Sequence, residues 1–324
     1  MIKEHRLSGW IEQLKERNIR YTGLKKAKHI CSRVVLYAVL ISLTYIFLQP
    51  FIMMILYGIK QPYEVQDATL IWLSRRPTLE LFRQAWVVLD YPRALMNSIL
   101  LSIVPTIGHV ISASMVGYGF ARLRIPGKNF LFMLVLFTLI VPTQAIIIPM
   151  YKEFMVFEDF LTVTLGMEFL KGNSLPLILP AFFGMGLKGA LYIFIYRQSF
   201  AGMPAELENA ARIDGCGVVK TYLKVMFPLA RSATLVIAIL SIVWRWNDYV
   251  EPQVFIANSE DFTLPMLIPS YWQQFNSVIG GSVESFNVTH VMSSALLMLL
   301  PMIIFYLIVQ HWFMQGIETT GIVG

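Results

Sequence analysis

Charged side chains are scarce in this chain. Asp, Glu, Lys and Arg make up 14% of the 324 residues, against roughly 25% in soluble domains. With 56% hydrophobic residues, the polar groups are too few to cover the apolar ones in water. Cysteine is nearly missing: Cys31 and Cys216 are the only two. Both fall in or beside segments placed below on the cytoplasmic side, where they stay thiols rather than forming a disulfide framework. The usual catalytic signatures are absent too. Gly127-Lys128-Asn129 is the nearest approach to a phosphate-binding loop, and it lacks both the upstream Gly and the following Ser or Thr. His5, His29, His109, His290 and His311 are scattered without metal-ligand spacing, and neither HExxH nor GxSxG occurs. No catalytic residue, no metal and no bound cofactor are therefore expected. The N-terminal MIKEHRLSGWIEQLKERNIR has no short apolar core followed by a small-residue cleavage site, so it does not read as a signal peptide. Low-complexity stretches and internal repeats are not seen. Asn287-Val288-Thr289 fits a glycosylation triplet, a pattern that often arises by chance.

What the chain has instead is length of apolar run. Six stretches are long enough to cross a hydrocarbon core, which takes about 20 helical residues. They are Val34–Ile59, Ala94–Ala121, Phe130–Tyr151, Asn173–Tyr196, Ser232–Val250 and Ser285–Ile317. The expectation is an all-α membrane protein of six transmembrane helices. Its domains are a basic tail over 1–33 and a transmembrane part over 34–324. Prolines 50, 105, 142, 149, 176, 180 and 301 lie in the spans and predict kinks. Gly184, Gly186 and Gly189 leave part of the fourth span bare for close helix approach.

Orientation follows from the cations. The tail before Val34, the Arg122–Lys128 link and the Arg197–Arg231 loop hold seventeen Lys and Arg, while loops 60–93, 152–172 and 252–284 hold seven. Both termini are thus expected in the cytoplasm. The net charge of +6 flanks apolar blocks and forms no single basic face, which argues against nucleic-acid binding. In the tail, Leu7, Trp10, Ile11 and Leu14 recur at helical spacing among charges. Either a helix lying on the inner leaflet or a solvated tail that fixes topology fits them.

The loop Met203–Pro228 is the most structured of the cytoplasmic segments. Pro204 suits the first position of a helix, with Glu206 and Glu208 in its first turn. Ala210 and Ala211 leave room for a partner, and Gly215 supplies a left-handed cap after Asp214. A second short helix is expected from about Val218 to Phe227, with Lys220 and Lys224 on its polar side and Pro228 closing it. The product is a helix–turn–helix knob between two spans.

This knob resembles the EAA motif of ATP-binding-cassette (ABC) importer permeases, roughly E-A-A-x-x-D/x-G, nine residues, then I-x-L-P. Asn209-Ala210-Ala211, Asp214-Gly215 and Val225-Met226-Phe227-Pro228 carry the match, with Asn209 in place of the motif glutamate. GYGFARLRIPGKN, IVPTQAIIIPMY, WRWNDYVEP and QGIETTGIVG are similar to segments of carbohydrate-importer permeases of the maltose type, so the resemblance runs from about Asn97 to Gly324. It extends to the alginate importer permeases of Gram-negative bacteria. The resemblance implies a multi-pass inner-membrane permease for an oligo- or polysaccharide. It implies a second permease subunit, two ATPase subunits that bind ATP and Mg, and a periplasmic binding protein. The Met203–Pro228 knob would seat in the ATPase.

Ionisable groups inside spans are costly and mark functional candidates. Lys188 lies in the inner half of the fourth span; it either snorkels to the cytoplasmic headgroups or meets substrate. Trp244, Arg245, Trp246, Asn247, Asp248 and Tyr249 cluster at the outer end of the fifth. They form either an interfacial aromatic belt with Arg245 paired to Asp248, or a sugar path in which aromatic faces stack on rings and Arg245 takes a carboxylate. A secondary transporter or channel driven by an ion gradient is the alternative. It would show an internal repeat or a carboxylate relay in the spans.

Overall fold

The computed structural model describes the backbone of residues 2–67, 69–70, 72–166, 170–186, 188–280 and 287–321. Side chains are described over 28–312 within those stretches, Gln66 excepted. Among the described residues the fold is all-α. The only extended pairing is an isolated bridge between Gly172 and Ile256.

The chain divides into two units, Met1–Tyr57 and Gly58–Gly324. The first is one helix, α1 (Ile2–Gly58), which contains Pro50. No Pro or Gly lies between Leu24 and Gln49, so nothing breaks the helix at residue 33. The tail expected as a separate element runs straight into the span. The side chains of Leu7, Trp10, Ile11 and Leu14 lie outside the described residues.

The second unit opens with a stapled loop. A 3₁₀ turn (Pro62–Gln66) carries Glu64, which accepts hydrogen bonds from Ser74 Oγ at 2.6 Å and Arg75 N at 3.0 Å. Lys60 Nζ donates to the Leu70 carbonyl. Helices α2 (Glu80–Val88) and α3 (Tyr91–Arg122) follow. The next are α4 (Lys128–Phe137), α5 (Thr143–Leu165), α6 (Leu175–Phe182), α7 (Gly189–Ala201) and α8 (Ala205–Ile213). Next come α9 (Val218–Thr221), a π-helical turn (Tyr222–Met226), α10 (Phe227–Leu229) and α11 (Arg231–Asn247). Three short helices, α12 (Val250–Phe255), α13 (Leu264–Leu267) and α14 (Tyr271–Ile279), precede α15 (Val288–Gly321).

Lys28–Gly58, Tyr91–Arg122 and Val288–Trp312 are long and apolar enough to span a membrane as single helices. A fourth span results if Val218–Leu229 and Arg231–Asn247, bent by 75°, count as one. The expected third span is split between α4 and α5, where Pro142 sits extended (ψ 133°) as the N-cap of α5. The fourth is split between α6 and α7, where Gly184 and Gly186 take φ of +72° and +90°. A kink was expected at Pro142 and only close helix approach at Gly184 and Gly186, and full breaks are found at both places. Such breaks leave backbone groups that only protein or a water-filled cavity can satisfy.

Helix α3 is the hub, packed against α6, α7 and α11. Small residues make this possible. A Cβ on Gly117 would stand 2.6 Å from Tyr196 Cβ, and one on Gly108 would stand 3.0 Å from the Phe182 nitrogen. Ser98, Thr106 and Ser112 bond back to carbonyls four residues earlier. That satisfies hydroxyls that would otherwise be orphaned in an apolar setting. One apolar cluster gathers Tyr118, Tyr192, Tyr196, Phe200, Tyr222 and Met226 behind the knob. A second joins Leu89, Tyr91, Trp246, Leu264, Tyr271 and Phe275 at the opposite end of α3.

Candidate functional site

Two sets of the expected residues are brought together, one in the knob and one where the broken spans meet. In the knob, α8 begins after Pro204, which is its N-cap (ψ 137°) and so stands one residue before the helix. The far end is a full Schellman motif. Gly215 takes φ +78°, its N–H bonds the Arg212 carbonyl at 3.0 Å, and the Cys216 N–H bonds that of Ala211 at 2.9 Å. The second helix is not regular. The Phe227 N–H reaches back five residues to Tyr222 in a π turn. Pro228, which has no N–H to give the carbonyl of Lys224, follows directly.

The two glutamates of α8 are separated by burial. Glu206 is exposed with Asn209 and Ala210, whereas Glu208 and Ala211 are buried. Arg122, at the last turn of α3, lies 4.0 Å from Glu208. The same guanidinium donates to the Phe200 carbonyl through Nε (2.9 Å) and Nη2 (2.6 Å), and to the Met203 carbonyl. One cation therefore ties α3, the end of α7 and α8 together, and Glu208 is turned inward. In the sequence Arg122 is only one of the cations that set topology; the one signal for more is its place at the end of an apolar span, and its tie to the Phe200 and Met203 carbonyls is a product of the fold. On the outer surface of the knob Ile213 is 86% exposed, with Val218, Val219 and Leu223 also exposed beside Lys220 and Lys224.

At the span breaks Arg245 is buried and pairs with Glu251 at 3.3 Å, not with Asp248. Helix α11 ends at Asn247, and Asp248 is extended (ψ 126°), so the three-residue helical spacing no longer applies. Asp248 Oδ1 instead accepts from the Val250 N–H at 3.1 Å. Arg245 Nη2 fills the space at Gly186, 3.4 Å from where a Cβ would be. Lys188 stands in the left-handed region (φ +61°) as the N-cap of α7. Its side chain is exposed and lies over the Trp244 ring, 5.6 Å from the centroid. Buried His109 stacks edgewise on Tyr192 (5.0 Å), which in turn lies beside Trp244 (6.1 Å). Trp246 is buried in the outer apolar cluster, while Asn247 and Tyr249 are exposed. Glu251 also lines a 340 Å³ cavity whose other walls come from α4, the turn after it, α5, the Gly184–Gly186 break and the start of α7. Lys188, Trp244, Arg245 and Asp248 thus share one neighbourhood, and Trp246 belongs to the packing. Among the described residues no group of three His, Cys, Asp or Glu is placed to hold a metal ion.

Comparison with known proteins gives a concordant set. Residues 110–319 match the family model described as binding-protein-dependent transport system inner membrane component. The chain is 28% identical over 278 residues to an arabinooligosaccharides transport system permease protein of Halalkalibacterium halodurans, covering 79% of this chain and 89% of that one. It is 27% identical over 271 residues to a probable starch degradation products transport system permease protein of Thermoanaerobacterium thermosulfurigenes, covering 84% and 90%. Among solved structures it is similar to a bacterial ABC transporter involved in the import of the acidic polysaccharide alginate. The TM-score is 0.68 at 23% identity, covering 86% of this chain and 95% of that one. That likeness shows the permease fold.

Proposed function

Because the chain belongs to the family of binding-protein-dependent transport system inner membrane components, we propose that it is the permease subunit of an ABC importer for oligo- or polysaccharides. It is a multi-pass inner-membrane subunit and not itself a catalyst; an ATPase and a substrate-binding protein work with it. The carbohydrate reading is supported by the names of two relatives, which carry arabinooligosaccharides and starch degradation products. We read six spans, the third and fourth broken, with residues 1–33 and both termini in the cytoplasm and 34–324 forming the permease.

The observation that carries the coupling role is the Schellman-capped knob with Ile213 exposed at its tip. On the cytoplasmic side an exposed Ile, Val and Leu surface is unfavourable in water and calls for a partner. We assign it to the ATPase, with Glu206, Asn209, Ala210 and Asp214 on the contact side. Glu208, Ala211, Gly215 and Pro228 hold its shape. ATP and Mg belong to that ATPase. The second permease subunit is read as a different chain, and the ATPase as two copies.

For the path, the exposed Lys188 above Trp244 supports a glycan that presents a ring face to the indole and a carboxylate to the ammonium. An acidic polysaccharide such as alginate fits. Arg245, tied to Glu251, supports the path by holding the break of the fourth span. Purification from native membranes in mild detergent tests the reading. An ATPase and a second permease are expected to copurify in fixed ratio, and their absence would sink it.

A further inference from the structure

The ends of α2 and α3 on the side assigned outward, together with the chain from Ser259 to Ser277, enclose a second cavity, of 460 Å³. Its floor is apolar, built from Val88, Leu89, Phe262 and Leu267. Its rim is made of amides, hydroxyls and charged groups. Gln273 is exposed and makes no side-chain hydrogen bond to another described residue. Arg93 lies between two carboxylates, 3.4 Å from Asp90 and 3.7 Å from Glu260. Both separations are longer than a good hydrogen bond, so its planar fork of donors is still available. Asp90 holds φ +41° and ψ 53°, a left-handed conformation that is uncommon outside glycine. It places a carboxylate on the rim at the junction of two helices.

From this geometry we infer that the cavity is an outer subsite that receives two or three rings of a glycan and reads their hydroxyls. The inference rests on the reading of the chain as a carbohydrate permease and adds a second, outer station to it. Three observations favour a glycan. The volume falls in the roughly 300–1,000 Å³ range of small-ligand pockets. A floor of Phe and Leu under a rim of Gln, Asp and Arg matches a sugar ring, apolar on its face and hydroxylated at its edge. The one cation, Arg93, is outnumbered by the carboxylates of Asp90 and Glu260, so the site does not attract anions and reads hydroxyls rather than a carboxylate. A protein-docking surface would instead present its apolar anchors outward, whereas here Leu89 and Leu267 are buried.

The scarcity of cysteine makes the test clean. In a background of Cys31→Ser and Cys216→Ser, Ser277→Cys on the rim and Val278→Cys just outside it are labelled with an environment-sensitive fluorophore. The assembly copurified from native membranes is held in nanodiscs. Maltotriose or arabinotriose should give a saturable change at position 277 and none at 278, and Gln273→Ala should raise the half-saturating concentration at least threefold. A silent label at 277 overturns the subsite. So does a response to the binding protein without sugar, which would make the cavity a docking surface, or a response to a tri-uronate alone. Sugar-dependent ATP hydrolysis by the unsubstituted assembly is measured separately. If that is missing the permease reading fails, and if it is present with a silent label only the subsite fails.

Discussion

Gly215 and Gly117 are both constrained, for opposite reasons. A Cβ on Gly215 would meet no atom within 4 Å, but the residue sits at φ +78°, so any L side chain strains the backbone by about 1–2 kcal/mol. Gly215→Val is therefore expected to leave the protein folded while loosening the cap. ATP hydrolysis should continue while uptake falls several-fold, and normal coupling would show that the turn does not matter. Gly117→Ala meets Tyr196 Cβ at 2.6 Å and should lower thermal stability by about 1–3 kcal/mol through overpacking. The buried Arg245–Glu251 pair behaves differently again. Removing either partner strands a buried charge at about 3–5 kcal/mol. Arg245→Ala and Glu251→Ala should each destabilise strongly, and Arg245→Met with Glu251→Leu should recover most of the loss in a thermal melt. Lys188→Ala should spare stability and reduce uptake of uronate oligomers more than that of neutral ones; equal loss for both would remove Lys188 from the path. The Arg245–Glu251 partnership was not legible in the sequence. Helical spacing pointed to Asp248, and only the end of α11 at Asn247 swings the residue six positions on into reach.

At the scale of elements, the cap at Gly215 was legible because few residues other than Gly tolerate that backbone. The break at Pro142 was legible only as a kink, and that at Gly184–Gly186 only as a bare stretch suited to close packing. Proline and glycine mark where a helix is weak, but whether it bends or parts depends on what packs against it. Here α3 supplies that packing, and its own polar face of Ser and Thr gave no periodic apolar signal. The tie at Arg122 joins three elements through one guanidinium with 12% of its side chain exposed. Arg122→Ala should cost about 2–4 kcal/mol, given charge-assisted hydrogen bonds and a partly buried pair. It should also raise proteolysis within the 203–228 loop before the rest of the chain is affected. The stapled outer loop gives a pH prediction. Burial of Glu64 pushes its pKa up, but bonds from Ser74 and from the backbone N–H groups of Gln61, Arg75 and Arg76 outweigh this and hold it below the ordinary 4.5. A depressed carboxylate stabilises the fold above its unfolded pKa and loses that contribution as pH falls through its folded value. Hydrogen exchange over residues 61–76 should therefore accelerate only below about pH 4.5. In Ser74→Ala the folded value should rise toward the ordinary one, so the acceleration should be smaller and complete at a higher pH.

At the scale of the whole molecule, the two candidate regions lie at separate places on one scaffold. Helix α3 ends at Arg122, which grips the knob, and carries His109 farther back beside the break of the fourth span. Helices α10 and α11 leave the knob through a 75° bend and end at the Trp244–Glu251 neighbourhood. On the proposed reading, motion of the knob would be transmitted along these two packed helices to the proposed path. Interfaces of this kind, with glycine contacts at Gly108 and Gly117, move between discrete packings rather than deforming smoothly. Family membership and localisation were legible from dispersed motifs and from the charge count. Which of the candidate path residues come together was only partly legible, because their geometry depends on where helices end.

The most direct test of ATP-coupled permeation through this knob is uptake of labelled maltotriose, arabinotriose and a tri-uronate into proteoliposomes. These contain the copurified assembly and its binding protein, with the wild-type chain compared with Ile213→Asp. ATP-dependent accumulation of at least one of these sugars by the wild type, lost in the variant while the subunits still assemble in the membrane, is the predicted result. Uptake driven by an ion gradient without ATP, or full ATP-driven uptake in Ile213→Asp, would contradict it.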